Sequence, residues 1–336
     1  MNVQYIGKQS IRFDVSPHII AGGSVAGTKE KEGPLGNTFD KIIDDPMCGK
    51  DSWEEAESEL QYQAAHEAMK KAGLDEKNIR YVFAGDLLGQ LMATSFGLAS
   101  LNIPLFGLFG ACSTMGESLC AASMTIAGGF ADTVLAVTSS HFASAEKTFR
   151  FPLGYGTQRK KSATWTVTGS GAVILSDKGG FARITGITPG RIIDMGVTDK
   201  ENMGAVMAPA AADTIYNHFM DFNSKPEDYD RIITGDLGYV GQRILFDMLK
   251  EKGYDISKVH MDCGIEIYDS ATQDTHAGGS GCGCSAVVLC GQIFKELKNK
   301  KLKKILFVPT GALLSPASSN EGMNIPAIAH GVIIQS

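Results

Sequence analysis

The feature that most constrains this chain is a pattern that occurs twice. Residues 81–87 read YVFAGDL, residues 231–237 read RIITGDL, and a Gly-Gln pair follows each of them. Both are apolar runs that end in Gly-Asp-Leu, as buried strands do where they deliver a loop to the edge of a sheet. A pattern repeated across a chain of 336 residues indicates an internal duplication.

A second unit is repeated in the same order. It consists of an apolar run, a turn of small residues, a helix and a further strand, and it occurs at 104–138 and again at 276–309. Alternating strands and helices predict an α/β fold of two similar halves, with mostly parallel sheets and helices packed between and around them. We place the halves at residues 1–178 and 179–336.

The composition is that of an ordinary folded chain with a small excess of acid. Hydrophobic residues make up 43% and charged residues 20%, the formal net charge is −6, and the pI is near 5.7. A nucleic-acid surface usually needs a basic face, so no RNA or DNA partner is expected. No apolar run reaches the ~18 residues of a membrane-spanning helix, and any membrane contact is expected to be peripheral.

The cysteines indicate a reducing compartment. There are seven, an odd number, and residues 1–4 lack the charged-then-apolar start of a secretory signal. The nearest approach to a zinc pattern is Cys282 and Cys284 with Cys263 upstream. One intervening residue is too tight for a paired-ligand knuckle, so we expect small buried thiols and no metal site.

Two turns are predicted to face each other at one central cleft, because ligands of such sheets bind beyond the carboxyl ends of the strands. Cys112 starts a helix, where the helix dipole and free N–H groups stabilise a thiolate, so it is either a nucleophile or a buried structural cysteine. His276, in a glycine-rich turn, is a candidate base or hydrogen-bond donor. Ser113 and Gly279 are expected to contribute backbone N–H groups from the two turns.

Residues 147–170 interrupt the strand–helix rhythm and predict a loop that covers the cleft. Loops of this length are often functional covers, and a plain surface excursion is the alternative. Arg150, Arg159 and Lys160 lie in this loop and are candidates to hold an anionic ligand. For the run that begins at Arg159, a solvated patch or a contact with anionic lipid is the alternative.

Four further residues are predicted near the cleft by their positions. Asp86 and Asp236 end the two repeated strands, and His141 follows the strand predicted at 133–138. Glu117 lies one helical turn past Cys112, where a carboxylate would raise the pKa of the thiol. Each of them is either a pocket residue or a structural one.

Three motifs together resemble the thiolase and ketoacyl-synthase superfamily. They are the GACS turn at 110–113, the strand TGSGAVIL at 168–175, and the glycine-rich turn at 275–281. The resemblance covers nearly the whole chain. It implies a layered α-β-α-β-α fold and a catalytic cysteine at the position of Cys112.

A narrower resemblance is carried by GDLL at 85–88, FPLGYGTQ at 151–158 and APAAADT at 208–214. These motifs are similar to the stage V sporulation protein AD family of spore-forming bacteria. That family is implicated in moving dipicolinic acid, a pyridine dicarboxylate stored with calcium, into the forming spore. The resemblance therefore implies a dipicolinic acid ligand, possibly accompanied by calcium, and no cofactor.

The same resemblance implies partners and a location. Other stage V sporulation membrane proteins of a SpoVA-type transport complex are the expected partners. The expected location is the cytoplasmic side of the inner membrane of the forespore or spore, with peripheral attachment. Thiolase-like proteins commonly pair, so we expect a homodimer that forms through the strand at 133–138.

The chain departs from the condensing enzymes at one position. Those enzymes pair their cysteine with two histidines, or with a histidine and an asparagine. Here the strand that would deliver the first histidine ends in TGDLG at 234–238, so Gly or Asp stands in its place. A carboxylate there would oppose the negative charge that develops during carbon–carbon bond formation.

Two functions of different classes follow. The first is a non-catalytic protein that holds a small aromatic dicarboxylate in the thiolase-type cleft. The second is an acyltransferase or condensing-type enzyme that forms a thioester on Cys112, with His276 polarising the carbonyl.

Overall fold

The computed structural model describes residues 3–150, 153–155 and 158–336. Residues 151–152 and 156–157, which belong to the predicted cover loop at 147–170, lie outside the described residues. The first strands of the described residues are β1 (Val3–Ile6), β2 (Ser10–Phe13), β3 (His18–Gly27), β4 (Lys41–Ile43), β5 (Tyr81–Gly85), β6 (Leu105–Gly107), β7 (Thr133–Ser140), β8 (Trp165–Thr166) and β9 (Gly169–Ser176). The later strands are β10 (Ala182–Thr188), β11 (Arg231–Thr234), β12 (His260–Asp262), β13 (Gly279–Ser280), β14 (Lys304–Val308), β15 (Thr310–Ala312), β16 (Ala327–Ala329) and β17 (Gly331–Gln335).

Helices alternate with these strands. The α-helices are α1 (Thr28–Lys31), α2 (Trp53–Ala72), α3 (Met92–Leu98), α4 (Thr114–Ala127), α5 (Phe142–Glu146), α6 (Met203–Phe222), α7 (Gly238–Glu251), α8 (Cys263–Glu266), α9 (Cys282–Val288), α10 (Phe294–Lys298) and α11 (Pro316–Asn320). Short 3₁₀ segments are Gly36–Thr38, Glu76–Asn78, Gly89–Leu91, Ala99–Leu101, Ala111–Ser113, Leu153–Tyr155 and Pro226–Asp228, and a π-helical segment, Leu289–Ile293, joins α9 to α10.

Local sequence explains where the longest N-terminal helix begins and ends. At the start of α2, the Ser52 hydroxyl accepts a hydrogen bond from the Glu55 backbone N–H at 3.3 Å. Gly73 ends the helix in the left-handed conformation, with φ +66°. Between these caps, small and apolar side chains recur at helical spacing on the buried face, namely Ala56, Leu60, Ala64 and Ala68.

The main sheet repeats one strand order. Its strands run β12-β11-β14-β17-β10-β3-β9-β7-β5-β6, so each half places its strands in the order third, second, fourth, fifth, first. In each half the fifth strand is antiparallel to both neighbours, and the other four strands point the same way. The predicted α/β fold of two similar, mostly parallel halves is confirmed. The boundary at residues 178 and 179 stays a prediction.

Three apolar clusters define the layers. The central cluster holds α4 and α9 together with one face of each half-sheet, while the second packs α6 and the third packs α2 against the opposite faces. Alternate residues of a strand serve different clusters, as Val134 lies in the central cluster and Leu135 in that of α2. The α4 helix contacts both β7 and β17, so the two helices at the centre are shared by the halves.

The strand proposed as a dimer contact has no free edge. β7 pairs in parallel with β5 on one side and antiparallel with β9 on the other, and most of it is buried. A homodimer formed through this strand is therefore ruled out, because a second copy would have to displace β5 or β9. The open edge of this half is β6, whose three residues are exposed.

A buried polar network fastens α2 to the sheet beneath it. The Glu57 carboxyl accepts hydrogen bonds from Ser139 Oγ at 2.9 Å and from Ser144 Oγ at 2.5 Å. The Gln61 amide donates to Ser139 Oγ at 2.9 Å and to the carbonyl at the end of β5 at 3.2 Å. The next residue after β5, Asp86, is also buried, and burial together with Asp86 raises the pKa of Glu57.

The Glu57 carboxyl is expected to make stability depend on pH. The folded chain holds a proton that the unfolded chain releases above the ordinary carboxyl pKa of about 4.3, so the free energy of unfolding of the wild type should fall as pH rises from there. Glu57→Gln keeps an acceptor for the hydroxyls and cannot ionise, so this fall should be smaller in the variant. Denaturant unfolding across the pH range measures it, with Glu67→Gln, in a surface ion pair with Lys70, as the control on the same helix. Equal pH dependence in wild type and Glu57→Gln would contradict the assignment.

Candidate functional site

A cavity of about 130 Å³ lies where the Cys112 turn faces the turn before α9. Its walls are mainly apolar and come from both halves of the chain. Apolar side chains at the wall include Phe109, Phe149, Met203, Met207 and Leu314. The predicted meeting of two turns is found, but the second turn contributes Ser280 and Gly281 rather than its first residues.

Cys112 and Asp236 are the polar pair at the inner wall. Cys112 is half-buried and lies in the 3₁₀ turn Ala111–Ser113 that precedes α4. Asp236 is fully buried and accepts hydrogen bonds from Thr310 Oγ1 at 2.8 Å and from the Gly281 N–H at 3.1 Å. The Cys112 thiol lies next to this carboxyl. An acid therefore stands beside the cysteine, at the strand end where a condensing enzyme would place a histidine.

Burial raises the pKa of both groups. Burial and the neighbouring Asp236 carboxylate raise the pKa of the Cys112 thiol well above its usual value. Burial also raises the pKa of Asp236 to about 7, against the hydrogen bonds from Thr310 and Gly281 that lower it. These effects outweigh any stabilisation of a thiolate by the start of α4. The acid that raises the thiol pKa is Asp236, whereas the prediction named Glu117.

The two turns that frame the pair are held mainly by their own backbone. The Ser113 hydroxyl donates to the Gly110 carbonyl at 2.6 Å and is fully buried, so the residue supports the turn instead of facing the cavity. Gly279 pairs with Trp165 in the short β13–β8 ladder. The backbone N–H that reaches the site from this segment is that of Gly281.

The His276 side chain is directed elsewhere. Its Nδ1 lies 2.9 Å from the Lys160 carbonyl oxygen and its Nε2 lies 3.0 Å from Asp274 Oδ1. Its backbone is left-handed, with φ +51°. Among the described residues that line the cavity His276 is absent, so the structure does not bring it together with Cys112.

Two cations and one acid line the outer wall. Arg150 donates from Nε to Glu146 at 2.5 Å and from its guanidinium to Glu201 at 2.6 Å, so its charge is already paired. Lys200 also lines the cavity, and within the described part of the chain it makes no ion pair or side-chain hydrogen bond. Lys200 and Glu201 were not predicted, because they lie in an irregular stretch between β10 and α6 without a motif.

The other cover-loop cations do not line the cavity. Arg159 is buried, stacks 4.8 Å from the Trp165 ring centre and donates to the Asp274 carbonyl at 2.8 Å. Lys160 forms an exposed ion pair with Asp199 at 3.0 Å. Of the three predicted cations, the structure places only Arg150 at the cavity wall.

The remaining candidates have structural surroundings. Asp86 is buried and accepts hydrogen bonds from the Leu88 N–H at 2.7 Å and from the Thr94 hydroxyl at 2.6 Å, which fixes the turn that carries Leu87 to the cavity. Glu117 lies beneath the Cys112 turn, and burial raises its pKa. His141 caps α5 and faces a different cavity. Its Nδ1 accepts from the Ala143 N–H at 3.2 Å, and burial lowers its pKa.

Within residues 3–150, 153–155 and 158–336, no group of three or more His, Cys, Asp or Glu side chains is arranged to hold a metal ion. No helix in that part of the chain combines the length and the apolar character needed to cross a membrane.

Known structures share this fold at low sequence identity. The 3-oxoacyl-[acyl-carrier-protein] synthase III of Aquifex aeolicus VF5 is 15% identical with a TM-score of 0.56, and the match covers 95% of this chain and 100% of that one. AbyA1, a tetronic acid condensing enzyme, is 16% identical with a TM-score of 0.60 over 95% and 100% of the two chains. These likenesses show the thiolase-like, ketosynthase III fold.

Comparison with related sequences identifies a family within this fold. Stage V sporulation protein AD of Bacillus subtilis (strain 168) is 48% identical over 329 residues, which is 98% of this chain and 97% of that protein. Residues 7–335 match the family described as Stage V sporulation protein AD (SpoVAD). The chain therefore belongs to the stage V sporulation protein AD family.

Proposed function

We propose that this sporulation protein binds dipicolinic acid in the Cys112 cavity and helps its uptake into the developing spore, without condensing chemistry. The observation that carries the proposal is the buried Asp236 carboxyl beside the Cys112 thiol in a largely apolar cavity with Lys200 at its wall. Once ionised, the acid offers no donor to a developing negative charge, which a condensing site requires.

A planar dicarboxylate matches the walls of this cavity. Phe109 and Phe149 offer apolar surface to a pyridine ring, and Lys200 offers a cation that no other described side chain neutralises. Arg150 is held rigidly by Glu146 and Glu201, so it offers its remaining donors in a fixed direction. Lys200 is therefore the expected main anchor for a ligand carboxylate.

The acyltransferase alternative is opposed by the same geometry. Acyl transfer to Cys112 requires a thiolate, and burial together with Asp236 holds the pKa of this thiol well above its usual value. The carboxyl beside it would also lie close to any oxyanion formed on the sulfur-bound carbon. Nothing in the described cavity favours this function over ligand binding.

The setting of this function is also a proposal. The expected partners are the other stage V sporulation membrane proteins, and the expected place is the cytoplasmic side of the inner membrane of the forespore or spore. Calcium would accompany the ligand by bridging its carboxylates to Asp236 or Glu201, since both line the cavity.

The first test is direct binding. Calorimetry should show dipicolinate binding to the wild type, and Lys200→Met should weaken it by about tenfold to a hundredfold, the worth of one charge-assisted hydrogen bond of roughly 1.5–3 kcal/mol. Lys161→Met is the matched control, because Lys161 is exposed and does not line the cavity. An absence of binding, or an equal loss in both variants, would overturn the proposal.

The second test is the pH dependence of affinity. Because the pKa of Asp236 is raised to about 7, this group is neutral below that pH and repels an anionic ligand above it. Dipicolinate affinity should therefore fall by up to about tenfold per pH unit above neutrality. The slope should persist in His276→Ala and disappear in Asp236→Asn, measured with chelator present. Loss of the slope in His276→Ala would show that His276, and not Asp236, causes the pH dependence of the affinity. A flat, calcium-dependent profile would indicate bridging by the ion.

We also propose that a second copy of the chain pairs along the open edge of β6. Phe106 is 51% exposed there and Phe130 is 73% exposed nearby, so the edge continues into an apolar patch. A short edge strand of this kind is self-complementary about a two-fold axis.

The oligomeric state tests this interface. Light scattering should give twice the monomer mass of 35.8 kDa, and Phe106→Glu should shift the protein to the monomer. Met220→Glu, at an exposed methionine of α6, should leave the dimer intact. If the wild type is a monomer at micromolar concentration, the proposed β6 dimer interface is wrong.

A further inference from the structure

A second cavity, of about 190 Å³, lies on the other side of α5 and β8 from the Cys112 cavity. No residue of the part of the chain that the structure describes lines both cavities. Strand alternation explains the separation, since Thr166 faces the first cavity and its neighbour Trp165 faces the second. The second cavity is thus a distinct place in the fold, bounded also by α1 and the start of α2.

Aromatic rings form much of its wall. The chain has two tryptophans, Trp53 and Trp165, and both line this cavity. Phe142 stacks on Trp165 with ring centres 3.9 Å apart, and His141 lies 5.3 Å from Trp53. His141 Nε2 lies 2.9 Å from the Pro46 carbonyl oxygen, and Nδ1 accepts a hydrogen bond from a backbone N–H. Because both ring nitrogens are engaged, the imidazole contributes only ring surface to the cavity wall. Such surfaces favour a flat ring as ligand.

Two polar side chains, those of Lys29 and Glu30, determine which ligand charge the cavity favours. The Lys29 ammonium rests 4.2 Å from the Trp165 ring centre and, among the described residues, forms no ion pair. Glu30 is 1% exposed; its Oε1 accepts the Thr168 N–H at 3.0 Å and the Tyr268 hydroxyl, whereas its buried Oε2 has no hydrogen-bond partner in the described structure. Burial raises the pKa of Glu30 and so favours its neutral form. The Lys29 cation suits a carboxylate.

We infer that this second cavity is a binding site for a small planar aromatic monocarboxylate. The ring lies against Trp53, and the carboxylate accepts from Lys29. A cationic ligand is disfavoured because Lys29 already occupies the face of Trp165. The inference is independent of whether dipicolinate occupies the Cys112 cavity.

Cysteine footprinting separates the two cavities. Cys48 lines the second cavity and Cys112 the first; both are partly exposed, while the other five cysteines are buried. Benzoate is the probe. It should change the tryptophan fluorescence and slow alkylation of Cys48 by iodoacetamide, read by peptide mass, and leave the rate at Cys112 unchanged. Benzamide, which has the same shape without the charge, should bind at least about tenfold more weakly.

Variants assign the anchor. Lys29→Met should weaken benzoate binding at least about tenfold, and Lys29→Arg should retain most of the affinity. The control is Lys31→Met, on the same helix as Lys29, which should behave as wild type because Lys31 forms an exposed ion pair with Asp44. Failure of benzoate to protect Cys48, or equal binding by wild type and Lys29→Met, would overturn the inference. Protection of Cys48 by dipicolinate, with Cys112 unprotected, would support this site and contradict the proposed function.

Discussion

The structure depends on the burial of two helices between two half-sheets. Because α4 and α9 are covered on both sides, their residues must be small or apolar along most of their length, as Met115, Leu119, Ala286 and Val287 are. A helix buried in this way can expose only its end. The starts of both helices therefore meet at one edge of the sheets, where Cys112 and Asp236 lie side by side.

The sequence predicted the architecture and named Cys112 and Asp236 as candidates; at the outer wall it identified Arg150 and missed Lys200. The two Gly-Asp-Leu motifs marked the ends of two strands. The position of a strand end in an α/β sheet is fixed by hydrogen bonds to the neighbouring strands. His276 could not be placed, because a left-handed residue in a glycine-rich turn gives no periodicity from which the direction of its side chain follows. Lys200 was missed for a related reason, since it lies in a stretch whose path is set by tertiary contacts.

The acid beside the cysteine changes what the inherited site can do. A histidine would supply a proton donor over a wide range of pH, whereas a buried carboxyl does so only while it stays protonated. Thr310 and Gly281 supply hydrogen bonds that tolerate its ionised form, and burial opposes that form. Asp236 is therefore balanced near neutrality, where a small change in its surroundings alters the charge of the cavity.

The two-stranded ladder of β8 and β13 has a mechanical consequence. Ser280 of β13 and Thr166 of β8 face one cavity, and Trp165, between Thr164 and Thr166, faces the other, so a single peptide segment is the partition between two compartments. A shift of that partition that enlarges one compartment narrows the other. A substitution that moves this backbone therefore alters the walls of both compartments at once.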